Sequence, residues 1–189
     1  DGSGKSTMLR LISGVFPEYE GGIIIDNVPL RNYLVDSYQQ QTGVLINQQD
    51  IFYGTLMENI TMRDNKIRPD EIMLLSSKIG LSDFIQDQPN GFSTMLDPVG
   101  KRLSRSVIQK ILLLRALINQ PRLLLLEEPW RGLEDHNRHK IQDYLLEELK
   151  GVTVFVESND EDFAKRADGV MIFDQGVLKY YGPWTAGLS

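Results

Sequence analysis

The chain contains no cysteine, which excludes a disulfide framework and any thiolate metal site. That absence fits a reducing compartment. Long hydrophobic runs are missing too. The most apolar segments, Ile111 to Ile118 (interrupted by Arg115) and Leu123 to Leu126, fall far short of the roughly 20 residues that cross a bilayer. We expect no signal peptide from this sequence. Positive charge is not in excess: the formal net charge of −6 argues against a broad nucleic-acid footprint, and no nucleic-acid partner is expected. Histidine is scarce. His136 and His139 stand near Glu134 on a polar helical stretch and read as solvated positions rather than metal ligands. Of the few aromatics, Tyr180, Tyr181 and Trp184 read as packing residues rather than a base-stacking platform.

What is present suits one globular domain over residues 1–189, with 41% hydrophobic residues and enough length for a sizeable core. The chain opens at Asp1 and runs straight into a glycine-rich loop without an initiator Met, so we expect a fragment lacking its N-terminal strands.

The pattern along the chain predicts alternating elements. Lys5 to Phe16 reads as a helix opened by the loop Asp1 to Thr7, and Ile23 to Ile25 as a short strand ending in an Asp26-Asn27 turn. Gly43 to Asn47 is a second strand candidate, and the region from about Thr55 to Ile118 is mostly helical, with Ile72, Leu75 and Ile79 at helical spacing. Ser104 is placed to cap a helix running to Ile118. Then come a buried strand Arg122 to Glu127, an amphipathic helix Glu134 to Lys150, a strand Val152 to Val156, a helix Glu161 to Ala167 and a strand Val170 to Phe173. Gln175-Gly176 suggests a closing hairpin. Strands separated by helices imply parallel pairing and an α/β core.

Gly2-Ser3-Gly4-Lys5-Ser6-Thr7 is the second half of the phosphate-loop pattern G-x-x-x-x-G-K-[ST]. Glycines let successive backbone N–H groups converge on phosphate oxygens, and the following helix adds its positive end. In such a loop Lys5 reaches the β- and γ-phosphates and the Ser6 hydroxyl holds Mg²⁺. Asp1 to Thr7 is therefore the expected nucleotide-binding segment. Glu127 and Glu128 end a run of four leucines, which directs them to the carboxyl edge of a parallel sheet, where ligands bind.

Further segments resemble, in order, the ATP-binding cassette domains of membrane transporters, the exporter branch above all. Glu20 to Asp26 is similar to "SGxIxxDG", Phe52 to Ile60 to "LFSGTIxENI", Pro89 to Thr94 to "PxGxxT" and Gly100 to Ser104 to "GxxLS". Leu123 to Pro129 stands where that family has its Walker B strand, and Asp174-Gln175-Gly176 matches its late "DxG" turn. The resemblance implies an α/β P-loop NTPase fold, a parallel sheet flanked by helices with a helical subdomain inserted at about residues 58–118. It implies an ATPase using ATP and Mg²⁺, paired with a second cassette domain and a transmembrane domain, fused or separate, at the cytoplasmic face of the membrane. Closure would pass to the membrane helices through residues 47 to 60.

Residue by residue, the resemblance makes Glu128 the base that polarises the attacking water and Glu127 the Walker B carboxylate near Mg²⁺, one methylene longer than the family's aspartate. Asn159, in Thr153 to Asp160, stands where "TVIxVSHD" has its histidine; an amide still donates a hydrogen bond but carries no charge. The Q-loop residue that meets the metal-bound water is Gln48, or Asn47 if counted without a gap. The signature Leu-Ser-Gly-Gly-Gln reads Leu103-Ser104-Arg105-Ser106-Val107, leaving Ser104 to cap ATP across a dimer while Arg105 and Ser106 replace the glycines. Leu96 to Pro98 departs from "VGE", and Arg131 to Glu134 from "SALD". These departures leave two functions open: a motor with slowed hydrolysis, or a nucleotide clamp with little turnover. A P-loop kinase would need an arginine-rich lid loop, and none is evident.

Overall fold

The computed structural model describes residues 2–47, 49–99 and 103–187. Gly4 adopts a left-handed backbone with φ 97°, and helix α1 (Lys5–Ile12) starts from it. The helix stops four residues short of the expected Phe16, because Gly14 turns left-handed at φ 76° just beyond the Ser13 cap. Strands β1 (Ile24–Ile25) and β2 (Val28–Pro29) form a small antiparallel hairpin. Asp26 and Asn27 between them both take positive φ, as a tight two-residue hairpin loop requires. A 3-10 turn (Leu30–Asn32) and helix α2 (Val35–Gln40) lead into β3 (Thr42–Leu45).

The stretch expected to be mostly helical contains two short strands as well. β4 (Gly54–Thr55) pairs with β5 (Met95–Leu96) and brackets α3 (Leu56–Thr61), α4 (Pro69–Ile79) and α5 (Ser82–Gln86). Thr55 and Glu58 form a reciprocal capping box on α3. Asn59, fully buried, satisfies its amide on the carbonyls of Phe52 and Thr55 at 3.0 and 3.1 Å, and its oxygen accepts from the Phe52 N–H at 2.9 Å. One side chain thus ties the loop before α3 to the helix itself. Arg115 clamps the same knot by donating from Nε to the Asn59 carbonyl at 2.8 Å.

Helix α6 (Arg105–Leu117) begins where Ser104 predicted, its hydroxyl accepting from the Val107 N–H at 3.2 Å. It is the central helix, packed on β3, α3 and α4, with Ile111, Leu113 and Leu114 fully buried. Removing side chains of this size from water stabilises the fold by about 1.5–3 kcal/mol each. Strand β6 (Leu123–Glu127) is followed by α7 (Asp135–Asp143), β7 (Thr153–Glu157), α8 (Glu161–Arg166), β8 (Val170–Asp174) and β9 (Val177–Gly182). The helix expected to run to Lys150 changes to a π-turn at Tyr144–Glu148, and Leu149 is already extended.

The parallel sheet has the order β3-β6-β7, with Leu125 opposite Val44 on one side and Phe155 on the other. β8 departs from the expected parallel set and pairs antiparallel with β9 around the left-handed Gln175-Gly176 turn. Alternation along β6 divides its leucines between two faces. Leu124 and Leu126 join the main core with α6, whereas Leu125 lies outside that cluster, on the face that α1 covers with its buried Leu9. This partition decides where the carboxylates at the strand ends point. No helix among the described residues is long and apolar enough to cross a membrane.

Candidate functional site

The loop before α1 is held against the β8–β9 turn: the Gly176 N–H donates to the Ser3 carbonyl at 2.9 Å. A Cβ on Gly4 would lie 3.0 Å from the Gly176 Cα, so both the φ and the space demand glycine there. Lys5 bends back over the loop, its Nζ donating to Ser3 Oγ at 2.9 Å. Ser6, one residue on, donates from its hydroxyl to Glu157 Oε2 at 2.8 Å. Thr7 is exposed. Asp1 and Gln48, both expected at the site, lie outside the described residues.

Glu127 and Glu157 are register partners at the carboxyl ends of β6 and β7. Both follow the alternation onto the α1 face, so two carboxylates stand on neighbouring strands beneath Ser6. Like charges so placed repel unless a cation or hydrogen bonds intervene. Asn47 supplies two such bonds, from its N–H to Glu127 Oε2 at 2.8 Å and from its side-chain amide to Oε1 at 2.6 Å. The carboxylate is only 4% exposed and is therefore fixed in direction. Among the described residues no three His, Cys, Asp or Glu side chains converge into a metal cage. The donor set fits Mg²⁺ nevertheless. That ion takes one or two hard oxygen ligands from protein, keeps several waters and adds substrate phosphates. A serine hydroxyl and carboxylates are ligands of that kind.

Glu128 follows with φ 46°, a left-handed backbone that costs a non-glycine residue about 1 kcal/mol or more. Three contacts hold it there. Its N–H donates to the Glu157 carbonyl at 2.8 Å, and its own carbonyl accepts from the Arg131 N–H and from Gln109 Nε2, both at 3.0 Å. Gln109 also donates to the Pro129 carbonyl at 3.0 Å, so α6 grips the turn after β6 directly. Burial pushes the Glu128 carboxyl above the usual carboxylate range, and the charge of Glu157, with a smaller push from Glu127, adds to it; Arg131 and Lys5 oppose the shift. A carboxyl so placed is a stronger base than a free one.

Glu128, Ser158 and Asn159 line one open groove of about 420 Å³, with Trp130, Arg138 and Asp160. Trp130 donates from Nε1 to Ser158 Oγ at 3.1 Å and stacks at a tilt on Phe163, 4.8 Å between centroids. Asp160 caps α8 through the Phe163 N–H and accepts from Gln142 at 2.8 Å. Ser158 and Asp160 thereby fix the loop that presents the exposed Asn159. Ser104 is exposed at the start of α6 and bonds its own helix.

The structure thus sets Ser6 against Glu157, the register partner of Glu127, lets the Lys5 charge act on the Glu128 carboxyl, and sets Asn159 in the groove of Glu128. Sequence reasoning missed Glu157 and Gln109. Glu157 left a signal: a lone acid closing the apolar run Thr153 to Val156. Gln109, mid-helix, left none.

The model of the family described as ABC transporter matches residues 1–131. The chain is 30% identical over 182 residues to the leptomycin B resistance protein pmd1 of Schizosaccharomyces pombe, covering 96% of this chain and 13% of that protein. It is 31% identical over 175 residues to an uncharacterized ABC transporter ATP-binding protein, YknV, of Bacillus subtilis, covering 93% and 29%. A bacterial Atm1-family ABC exporter solved with ATP bound superposes with a TM-score of 0.87 at 24% identity, over 96% of this chain and 32% of that one. The chain therefore spans less than a third of each of these proteins. It belongs to the ABC transporter family and forms an ATP-binding domain of P-loop fold.

Proposed function

We propose that the domain binds Mg·ATP on Gly2 to Thr7 and hydrolyses it to drive an exporter-type transporter. The observation that carries this reading is the start of α1 meeting the carboxyl edge of a parallel sheet, Ser6 bonded to Glu157 beside Glu127 and the Lys5 charge acting on Glu128. Backbone N–H groups of the loop and the N-terminus of α1 hold the phosphates, and Lys5 leaves Ser3 to reach the terminal one. Ser6 and Glu127 hold Mg²⁺, which supplies neutralisation of charge on the phosphate oxygens when bound. Glu128, with its raised pKa, accepts a proton from the attacking water. Asn159 donates an amide hydrogen bond towards the γ-phosphate from across the groove. Catalysis of this type is positioning and charge stabilisation, so a longer Walker B carboxylate and an amide in place of histidine slow it without abolishing it.

The relatives' printed names, a resistance protein and an exporter, support the exporter reading. On it the chain is one cassette domain with a helical insert at about residues 58–118. It sits at the cytoplasmic face of the membrane, works against a transmembrane domain, and sandwiches ATP with a second cassette whose Ser104-type helix end faces this loop. One observation favours a clamp with little turnover instead: Arg105 and Ser106 open α6, where close backbone approach to a nucleotide favours glycine.

Binding is tested first on the intact protein. Lys5→Ala weakens ATP binding by at least roughly tenfold, equivalent to one lost charge-assisted contact of about 1.5–3 kcal/mol. Equal affinity for wild type and variant removes the loop as the phosphate site.

A further inference from the structure

We propose that Glu157 is a positioning residue for the magnesium ion, accepting the Ser6 proton so that the hydroxyl oxygen faces the metal. The inference rests on the reading of Ser6 as the metal-holding hydroxyl. A serine hydroxyl has one O–H donor and two acceptor lone pairs. A hydroxyl can give an oxygen lone pair to a cation only if its hydrogen points elsewhere. Ser6 directs it to Glu157 Oε2 at 2.8 Å.

Glu157 is placed for this by its strand. Thr153, Phe155 and Glu157 share one face of β7, and α1 packs across β7. The residue is half-buried and its backbone carbonyl is held by the Glu128 N–H at 2.8 Å, so the side chain leaves a fixed point. An acid at the end of an otherwise apolar strand costs desolvation and stands next to Glu127, its register partner. A valine there would suit the strand better. The carboxylate is accounted for if it serves the hydroxyl in front of it. Its charge has a second consequence. Without a cation it repels the phosphates of an incoming nucleotide, and with one it attracts the complex. Glu157 therefore makes nucleotide binding depend more steeply on Mg²⁺. Outer-shell partners of metal ligands act in this manner, and their loss costs roughly 10–100-fold in metal affinity.

The test reads binding rather than turnover. A fluorescent, non-hydrolysable ATP analogue is titrated into the intact protein with excess Mg²⁺ and again with EDTA. The quantity of interest is the ratio of the two dissociation constants. In Glu157→Val this ratio falls at least about tenfold, with tighter metal-free binding and looser binding with Mg²⁺. In Glu157→Gln, which keeps an acceptor oxygen but no charge, it falls roughly threefold or more, about half the effect on a logarithmic scale. Ser6→Ala loosens binding with Mg²⁺ at least as far as Glu157→Val does, because the ligand itself is gone; added to Ser6→Ala, Glu157→Val loosens binding with Mg²⁺ no further and only tightens metal-free binding. If the valine variant does not fold, the glutamine variant decides alone, and an unchanged ratio there overturns the proposal. A ratio unchanged in both Glu157 variants but lost in Ser6→Ala overturns the role of Glu157 and leaves Ser6 as the ligand. A ratio unchanged in Ser6→Ala as well overturns the reading of Ser6 on which the inference stands.

Discussion

Glu128 concentrates the tension of this domain in one residue. Its backbone is left-handed, its carboxyl is partly buried, and the carboxylates of Glu157 and Glu127 push on it. The consequence for stability has a definite sign. The folded state raises this carboxyl above its ordinary value, so folding disfavours the ionised form. The cost is fully present above the raised value, shrinks as the pH falls through it, and is gone below the ordinary carboxylate range near about 4. Glu128→Gln therefore raises the melting temperature of the metal-free, nucleotide-free protein at neutral pH, and the advantage over wild type disappears in acid. Calorimetry across a pH series checks this; a neutral variant no more stable than wild type at pH 7 contradicts it. At the residue scale, type and spacing pointed to Lys5, Ser6, Glu127 and Glu128 as the proposed site. It could not disclose that Asn47 grips both oxygens of Glu127, since the two are brought together by the β3–β6 pairing. Nor could it show Gln109 reaching the Glu128 carbonyl across the fold.

Elements were legible where periodicity is strong. Ile72 to Ile79 carries the 3.6-residue repeat of α4, and the four leucines of β6 announce a strand buried on both faces. Boundaries failed where a single backbone conformation decides them, as at Gly14 after α1 and at the π-turn after α7. The pairing of β8 with β9 was half visible: the Gln175-Gly176 turn foretold the hairpin, while the parallel alternation pointed β8 into the sheet. Among the described glycines the tightest surroundings are at Gly43 in β3, where an added Cβ would lie 2.0 Å from the Ala116 carbonyl oxygen and 2.8 Å from Leu124 Cδ1. Neither the strand nor α6 can give way there without disturbing the core that Leu113, Leu114 and Leu124 fill. Gly43→Ala is expected to destabilise the domain by about 3 kcal/mol or more, at the upper end of overpacking costs. Urea unfolding reads this as a lower midpoint at unchanged slope. A midpoint equal to wild type would show that β3 and α6 can separate freely.

Across the whole molecule, the phosphate loop at the start of the chain meets the Gln175-Gly176 turn near its end, and β6 and β7 from the middle place their acids beneath it. The site is thus assembled from segments far apart in sequence. Ordered motifs could announce its parts, but only the fold shows Ser6 against Glu157. On the proposed function this assembly hydrolyses ATP with Glu128 as the base, despite the altered signature and the amide at Asn159. Mg²⁺-dependent ATP turnover by the intact protein, measured for wild type beside Glu128→Gln and Lys5→Ala, tests it most directly. Wild type is expected to turn over measurably and Glu128→Gln to lose at least roughly 10²-fold, with turnover also abolished by Lys5→Ala. Turnover in Glu128→Gln equal to wild type, or none in wild type while ATP still binds, would contradict it.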